Sequence, residues 1–433
     1  MAELPINPTL PPRTRRPDFW LFFTGQTLSN LGTSFTQLAL PLLVFKLTSS
    51  ALNLAITTAV EFVPYLLFGL LIGAWVDRVN RKRLMILTDG LRALAIASIP
   101  AAYFLGILTV EWIYVVGFIN STLAIFFTSG EFAAIPSLVS QDDLVTANGR
   151  IQASYSAAAI LGPLLAGALI ALVAVPVFML FDAASFVISV ITLLLIRASF
   201  NRGDASDRAR QHILRDVADG LRYVLRHPVL RNISLMMALV NFVGATTGTQ
   251  LVLFSKAQLG ASDAQFAFLN AAGSAGVVVL SLSAGLLRRR WSFSRVALGA
   301  LMLNGLCTLA LALTHAYWLA LALWGLAGGL GILFNINTGS LRQAIVPNHL
   351  LGRVISIAGV LAWSAIPLGA ILGGYAIQRT GNVALVYGVI GVLTILIPFG
   401  FAFTPLGHAE RYLPRPGEEP AAEVPMETPA VAP

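Results

Sequence analysis

About twelve apolar runs, each as long as a bilayer is thick, decide what this chain can become. They cover roughly residues 18–45, 52–76, 84–108, 112–138, 147–172 and 176–198, then 231–255, 265–287, 294–314, 316–340, 352–377 and 382–403. A helix needs ~20 predominantly apolar residues to cross the hydrocarbon core, and every run approaches or exceeds that length. Hydrophobic residues make up 57% of the chain and charged ones 11%, a balance that excludes a soluble globular domain. The expected fold class is an all-α membrane protein with twelve transmembrane helices. The first seventeen residues carry Arg13, Arg15 and Arg16 and lack the apolar core of a secretory peptide, so no cleavable leader is expected. The single cysteine, Cys307, lies in an apolar run and excludes a disulfide framework or a cysteine-based metal cluster.

A net charge of +8 would point to nucleic acid in a soluble protein, but here it is gathered between the apolar runs. With the N-terminus in the cytoplasm, only Lys46, Lys256 and Arg379 of the 28 Lys and Arg fall in or beside external loops. That asymmetry predicts both termini inside and no nucleic-acid partner. The runs divide the chain into a tail (1–17), a six-helix half (18–198), a linker (199–230), a second six-helix half (231–404) and a Pro/Glu/Ala-rich tail (405–433) expected to be disordered. In the linker, Ile213, Leu214, Val217, Leu221, Val224 and Leu225 recur at helical spacing opposite Arg215, Asp216, Asp219, Arg222 and Arg226. This predicts an amphipathic helix on the inner membrane surface. The halves also echo one another: Asn30 and Lys46 of the first run match Asn241 and Lys256 of the seventh.

Between the second and third runs lies GAWVDRVNRKR, Gly73 to Arg83. Its pattern Gly-x-x-x-Asp-Arg-x-x-Arg-Lys resembles the signature loop of the major facilitator superfamily of secondary transporters, with Asn80 where the family usually has glycine. A loop needing only positive charge has no use for Gly73 or Asp77. The stretches PSLVSQDDLVTAN, GPLLAG, GLRYVLRHPVLR and LLGRVIS resemble a bacterial branch that includes enterobactin exporters and macrolide efflux proteins. The resemblance implies two pseudo-symmetric six-helix bundles in the cytoplasmic membrane of a bacterium. It also implies export of an amphipathic small molecule in exchange for protons by alternating access. Gly162, Pro163 and Gly167 resemble the family's helix 5 antiporter signature, with Ala158 in place of its first glycine.

The resemblance implies a conformational gate at Gly73, Asp77, Arg78, Arg81 and Lys82. Asp77 is expected near the start of helix 11, around Gly352 and Arg353, with Arg78 and Arg81 clamping the loop to acidic neighbours. Asp89 and Arg92, three apart on helix 3, can pair with each other and are assigned to the same network. Glu61 falls mid-membrane, where a charge is expensive, and is the first candidate for proton coupling. A carboxyl satisfied by a neighbouring helix weighs equally. Asp182 and Glu131 are weaker candidates for the same proton coupling; Asp182, where the branch often has an aspartate, reads rather as a structural hydrogen-bonding group. Glu131 reads as an anchor for basic loop residues. Gln26, Asn30, Ser34 and Gln37 form a polar stripe on helix 1, which lipid cannot satisfy. With Asn241, Gln250, Asn335 and Asn337 they are candidate contacts to substrate, and interhelical hydrogen bonding competes for about half of them.

The glycines of WGLAGGLG (Gly325 to Gly331) lack a preceding strand and a following Lys-Ser or Lys-Thr, so no phosphate loop is read there. All five histidines fall in loops or at helix ends, which leaves no buried His–acid pair for hydrolysis. No enzyme, cofactor or metal is expected, and the transporter is expected as a monomer. Two other classes stay open: an uptake carrier or facilitator for a polar metabolite, and a non-transporting sensor with a transporter fold.

Overall fold

A computed structural model describes residues 16–76, 79–140, 143–170, 172–200, 213–346 and 348–412. Within them, twelve helices are long and apolar enough to cross a membrane. The first half comprises α1 (Arg16–Thr48), α2 (Ala51–Val76), α3 (Arg81–Phe104), α4 (Val110–Leu138), α5 (Leu144–Leu169) and α6 (Val177–Leu195). A short α7 (Ile213–Arg226) leads into the second half. There α8 (Pro228–Thr249) and α9 (Leu251–Ala257) share the seventh span, followed by α10 (Asp263–Arg290), α11 (Phe293–Leu313) and α12 (Tyr317–Ile345). The eleventh span is α13 (Asn348–Trp363) plus α14 (Ala365–Thr380), and α15 (Val383–Phe401) is the twelfth. Leu94, Leu282 and Trp318 are 71%, 80% and 77% exposed, the inverse of a soluble protein, because lipid solvates that face.

Local chemistry explains several boundaries. Asn80, the departure from the family's glycine, caps α3: its Oδ1 accepts from the Arg83 amide at 3.0 Å. Ser262 and Gln265 form a capping box at the start of α10. The eleventh span breaks at Ser364 because Pro367 cannot donate to the carbonyl of Trp363 and crowds it. The seventh span breaks at Gln250 after the run GATTGT, which is poor in helix-favouring residues.

The two halves meet at the end of the bundle that carries Lys46. One large cluster there, including Phe35, Leu42, Leu54, Phe254, Phe266 and Tyr387, draws on both halves. At the opposite end, which carries Arg81, each half keeps its own core: Phe22, Met85, Phe127 and Phe200 in one, Ile233, Phe293, Leu298 and Leu406 in the other. The Lys46 end is sealed by matching glycines. A Cβ on Gly167 of α5 would lie 3.0 Å from that of Ala267 on α10, and a Cβ on Gly374 of α14 only 2.5 Å from that of Ala55 on α2. The same small-residue contact thus occurs twice, once in each pseudo-symmetric position. Lys46 of the first half bonds Asp263 of the second at 2.5 Å, and Lys256 reaches the other oxygen of that carboxylate at 2.6 Å.

Two boundaries and one packing assignment read from the sequence need correction. The linker does not begin at 199, since Phe200 is buried in the first half and meets Phe22 edge-on at 6.1 Å. Helix α7 forms where the periodicity places it, but its buried Tyr223 and Val224 pack on Val346 and Val354 of the protein rather than facing lipid. Nor does disorder begin at 405. Pro405–Tyr412 forms a 3₁₀ segment whose Glu410 accepts from the Ser294 amide at 2.8 Å and the Ser294 hydroxyl at 3.1 Å, binding it to the start of α11. Burial alone would raise the Glu410 carboxyl, but these hydrogen bonds together outweigh it and hold the group below its ordinary range.

His227 joins these pieces. Buried between Tyr223 and Tyr412, its Nδ1 accepts from the Leu230 amide and caps α8, and burial pushes its pKa down to about 4 from 6.5. The unfolded chain therefore binds the proton first, so the stability held here is complete above pH 6.5 and is lost as pH falls toward 4. Acidification from pH 7.5 to 5 is expected to remove on the order of 1–2 kcal/mol through this ring. Thermal unfolding in detergent should show a smaller acid-induced drop in Tm for His227→Asn, which keeps a capping oxygen without titrating. Equal drops would exclude His227 as the source.

Candidate functional site

Between the halves lies a cavity of about 780 Å³. From the first half, α1 contributes Thr33, Thr36 and Gln37, α2 contributes Thr57, Glu61 and Tyr65, and α4 contributes Asn120 and Ser121. Arg92 of α3 and Asp182 of α6 also reach it. From the second half come Asn241 and Thr247 of α8, Asn304 and Thr308 of α11, and Trp324 and Asn335 of α12. The electrostatics are lopsided: every charged side chain lining the cavity among the described residues belongs to the first half. The second contributes only neutral polar groups and apolar surface.

Glu61 sits on the cavity wall with no ion-pair partner among the described residues. Its side chain packs beside Gly117 of α4, and the Ser121 hydroxyl donates to the Glu61 backbone carbonyl. Asp182 is 1% exposed and accepts from Thr33 at 3.2 Å and Ser185 at 3.5 Å. The Thr33 bond ties α6 to α1, and the Ser185 bond lies within α6. Arg92 is held on three sides. It donates to Asp89 at 3.3 Å and to Asn120 at 3.1 Å, and its guanidinium lies 4.1 Å from the Phe186 ring centroid.

Other expected residues do not converge on the cavity. Gln26 donates to Ser189 of α6 at 3.1 Å and Asn30 to Ser154 of α5 at 3.4 Å, so the helix 1 stripe mostly joins helices. Ser34 bonds its own helix at Leu31 and faces Gly162, whose hydrogen lets α5 approach where any Cβ would collide. Only Gln37 of that stripe lines the cavity. Gln250 is fully buried at the Lys46 end, donating to the Ala51 carbonyl at 2.7 Å, and Asn337 bonds Leu333 of its own helix at 2.7 Å. Pro163 lies buried within α5. Asn241 and Asn335 do face the cavity, and Asn241 also donates to the Ala362 carbonyl at 2.9 Å. Asn304 and Asn120, each a lone amide in an apolar span, carried the same signal as Asn241 and were not singled out.

The loop assignments change in part. Asp77 and Arg78 lie outside the described residues, as do the surroundings of Gly73, Gly352 and Arg353. Arg81 donates to the Phe200 carbonyl at 3.2 Å, and Lys82 to the Ile196 carbonyl at 2.5 Å, so these cations meet carbonyls just beyond α6. Arg92 reaches the cavity wall, about three turns of α3 from that loop, and pairs there with the buried Asp89. Glu131 is 4% exposed and accepts from Tyr155 of α5 at 2.8 Å; its partner is a phenol rather than a basic loop residue.

Residues 9–426 match the family described as transmembrane secretion effector. The chain belongs to this family of major facilitator superfamily transporters. It is similar to macrolide efflux protein A of Streptococcus pyogenes, at 25% identity over 84% of this chain and 90% of that protein. It is also similar to the multidrug efflux pump Tap of Mycolicibacterium fortuitum, at 27% identity over 89% of this chain and 97% of the other. Among solved structures, an inward-facing, unoccupied bacterial homologue of the human lysosomal transporter Spinster shares the fold with a TM-score of 0.71. That likeness holds at 15% identity over 93% of this chain and 98% of the other. The protein is thus a multi-pass bacterial membrane transporter.

Removing one member of a buried ion pair typically costs about 3–5 kcal/mol, because the other charge is stranded. Arg92→Ala is therefore expected to lower the Tm sharply, and Asp89→Asn in the same chain to recover part of the loss. Thermal unfolding of the single and double variants checks this; additive losses would show that the two do not stabilise one another.

Proposed function

We propose that the protein exports an amphipathic small molecule in exchange for protons, by alternating closure of the two ends of its central cavity. The observation that carries this reading is the one-sided charge of the cavity. Arg92 is engaged by Asp89, which leaves Glu61 and Asp182 as acids without a cation of their own. A negative charge in a low-dielectric wall must be neutralised. A proton does so, and so does a cationic group on a substrate, and the two exclude each other at one carboxyl. That exclusion is an exchange mechanism. Glu61, on the cavity wall, is the carboxyl assigned to the exchange. Asp182 holds α6 on α1.

The facing wall of Asn241, Asn304, Thr308, Trp324 and Asn335 offers amides, a hydroxyl and an indole, suited to a ligand with both apolar surface and scattered polar atoms. Efflux is the activity named for the two relatives above. With the basic loops on the cytoplasmic side, the closed Lys46 end faces outward and both termini lie inside. Exposed ion pairs are worth roughly 0–1 kcal/mol each, so the Lys46–Asp263–Lys256 bridge biases the closed end without freezing it.

Accumulation of fluorescent dyes, macrolides and catecholate siderophores in an efflux-deficient bacterium tests the reading. Expression should lower accumulation of at least one compound several-fold, and both a protonophore and Glu61→Gln should abolish the effect. Loss with the protonophore alone would remove Glu61 from the coupling path. Accumulation raised by expression would reverse the direction. Separately, Asp263→Asn should increase labelling of a Gln37→Cys cavity probe by an impermeant maleimide added outside, in a Cys307→Ser background. Unchanged labelling would exclude the bridge as an outer latch.

A further inference from the structure

Two buried ionisable groups carry polar atoms without a partner. Glu131 of α4 bonds Tyr155 through one oxygen, while Oε1 has no partner. Arg342 of α12 is 9% exposed, its Nη2 meets only the Met237 thioether at 2.9 Å, and its Nε has no partner. A thioether is a weak acceptor. Neither residue has an ion-pair partner among the described residues. A buried charge without a counter-charge is expensive, so a second arrangement that supplies one would offset a real cost.

Their positions supply the complement. Glu131 stands five residues before Pro136 and Arg342 five before Pro347, and the pair has the same separation along the chain as Asn30 and Asn241. They are therefore equivalent positions in the two halves, with opposite charge. Each also lies seven residues, two helical turns, beyond a cavity-lining residue on the same helix face, Ala124 in α4 and Asn335 in α12. Both turns run toward the Arg81 end, where the halves have separate cores. Residues related by a two-fold axis sit at equal depth on opposite sides of it. Closing that end moves the two charges toward each other.

We infer that Glu131 and Arg342 form an ion pair across the halves when the Arg81 end closes, the inner counterpart of Lys46–Asp263 at the outer end. In the present state Tyr155 and Met237 cover the two groups, and closure requires those side chains to give way. The inference rests on the alternating-access reading and assigns that motion a specific latch.

The test uses the full-length protein with Cys307→Ser. A reporter pair, Asn148→Cys with Gln343→Cys, both exposed at the Arg81 end, carries spin labels whose distance follows closure. Asp263→Asn biases the outer end open. The expected result is a short-distance population that falls several-fold with Glu131→Gln and with Arg342→Gln alike, in folded protein by thermal unfolding. Exchanging the two charges, Glu131→Arg with Arg342→Glu in one chain, should restore the short-distance population that each glutamine variant loses. A short-distance population unaffected by either glutamine variant, or one that the charge exchange leaves as low as the single variants do in folded protein, would overturn the latch and leave alternating access standing. An effect of Arg342→Gln without one of Glu131→Gln would give Arg342 a different partner and overturn the pair. Reporters that never shorten would overturn the alternating-access reading and the latch with it.

Discussion

Inside a bilayer a backbone or side-chain polar group has no water to fall back on, and each helix must satisfy its own. Helices then associate through close packing rather than through the hydrophobic effect, which lipid cancels. Glycine permits that approach. Gly32 lies against Ser185, Gly162 against Ser34, Gly276 against Gly325 and Gly369 against Phe242, each so close that a methyl group would overlap its neighbour. These contacts set how α1, α5, α6 and the second-half helices lie, and so which faces remain for the cavity.

The same constraint sorts the polar residues into two kinds. Gln26, Asn30, Ser34 and Asn337 bond within or between helices and hold the scaffold. Glu61, Gln37, Asn241 and Asn335 face the cavity, where water or ligand can meet them. Charge is partitioned as well. Arg92, Asp89, Asp182 and Glu61 all belong to the first half, so that half carries the electrostatic work. The neutral second-half wall can accommodate varied shapes without a fixed charge preference.

Much of this was legible in the amino-acid order. The twelve spans, the amphipathic α7 and the repeat linking Asn30 with Asn241 follow from hydrophobic periodicity and spacing, which act locally. Asn80 departs from the family's glycine, and its side chain explains itself as a helix cap. The direction of side chains was less legible. A stripe at offsets of four, four and three tells that Gln26, Asn30, Ser34 and Gln37 share a face. It does not tell whether that face meets another helix or a cavity. The face proved to be shared, with its upper part against α5 and α6 and its last residue at the cavity.

What the sequence by itself determined is the membrane, the helices, their number and the loop signature, because the bilayer imposes length and apolarity on each span independently. What only the tertiary structure decided is which polar groups meet. Arg92 of α3 lines the cavity wall, Glu131 lies buried beside Tyr155 rather than anchoring a basic loop, and Lys46 and Lys256 converge on one carboxylate. Those outcomes depend on the angle and depth at which helices from distant parts of the chain cross, set by small-residue contacts such as Gly374 against Ala55. A pattern confined to one helix does not contain that information.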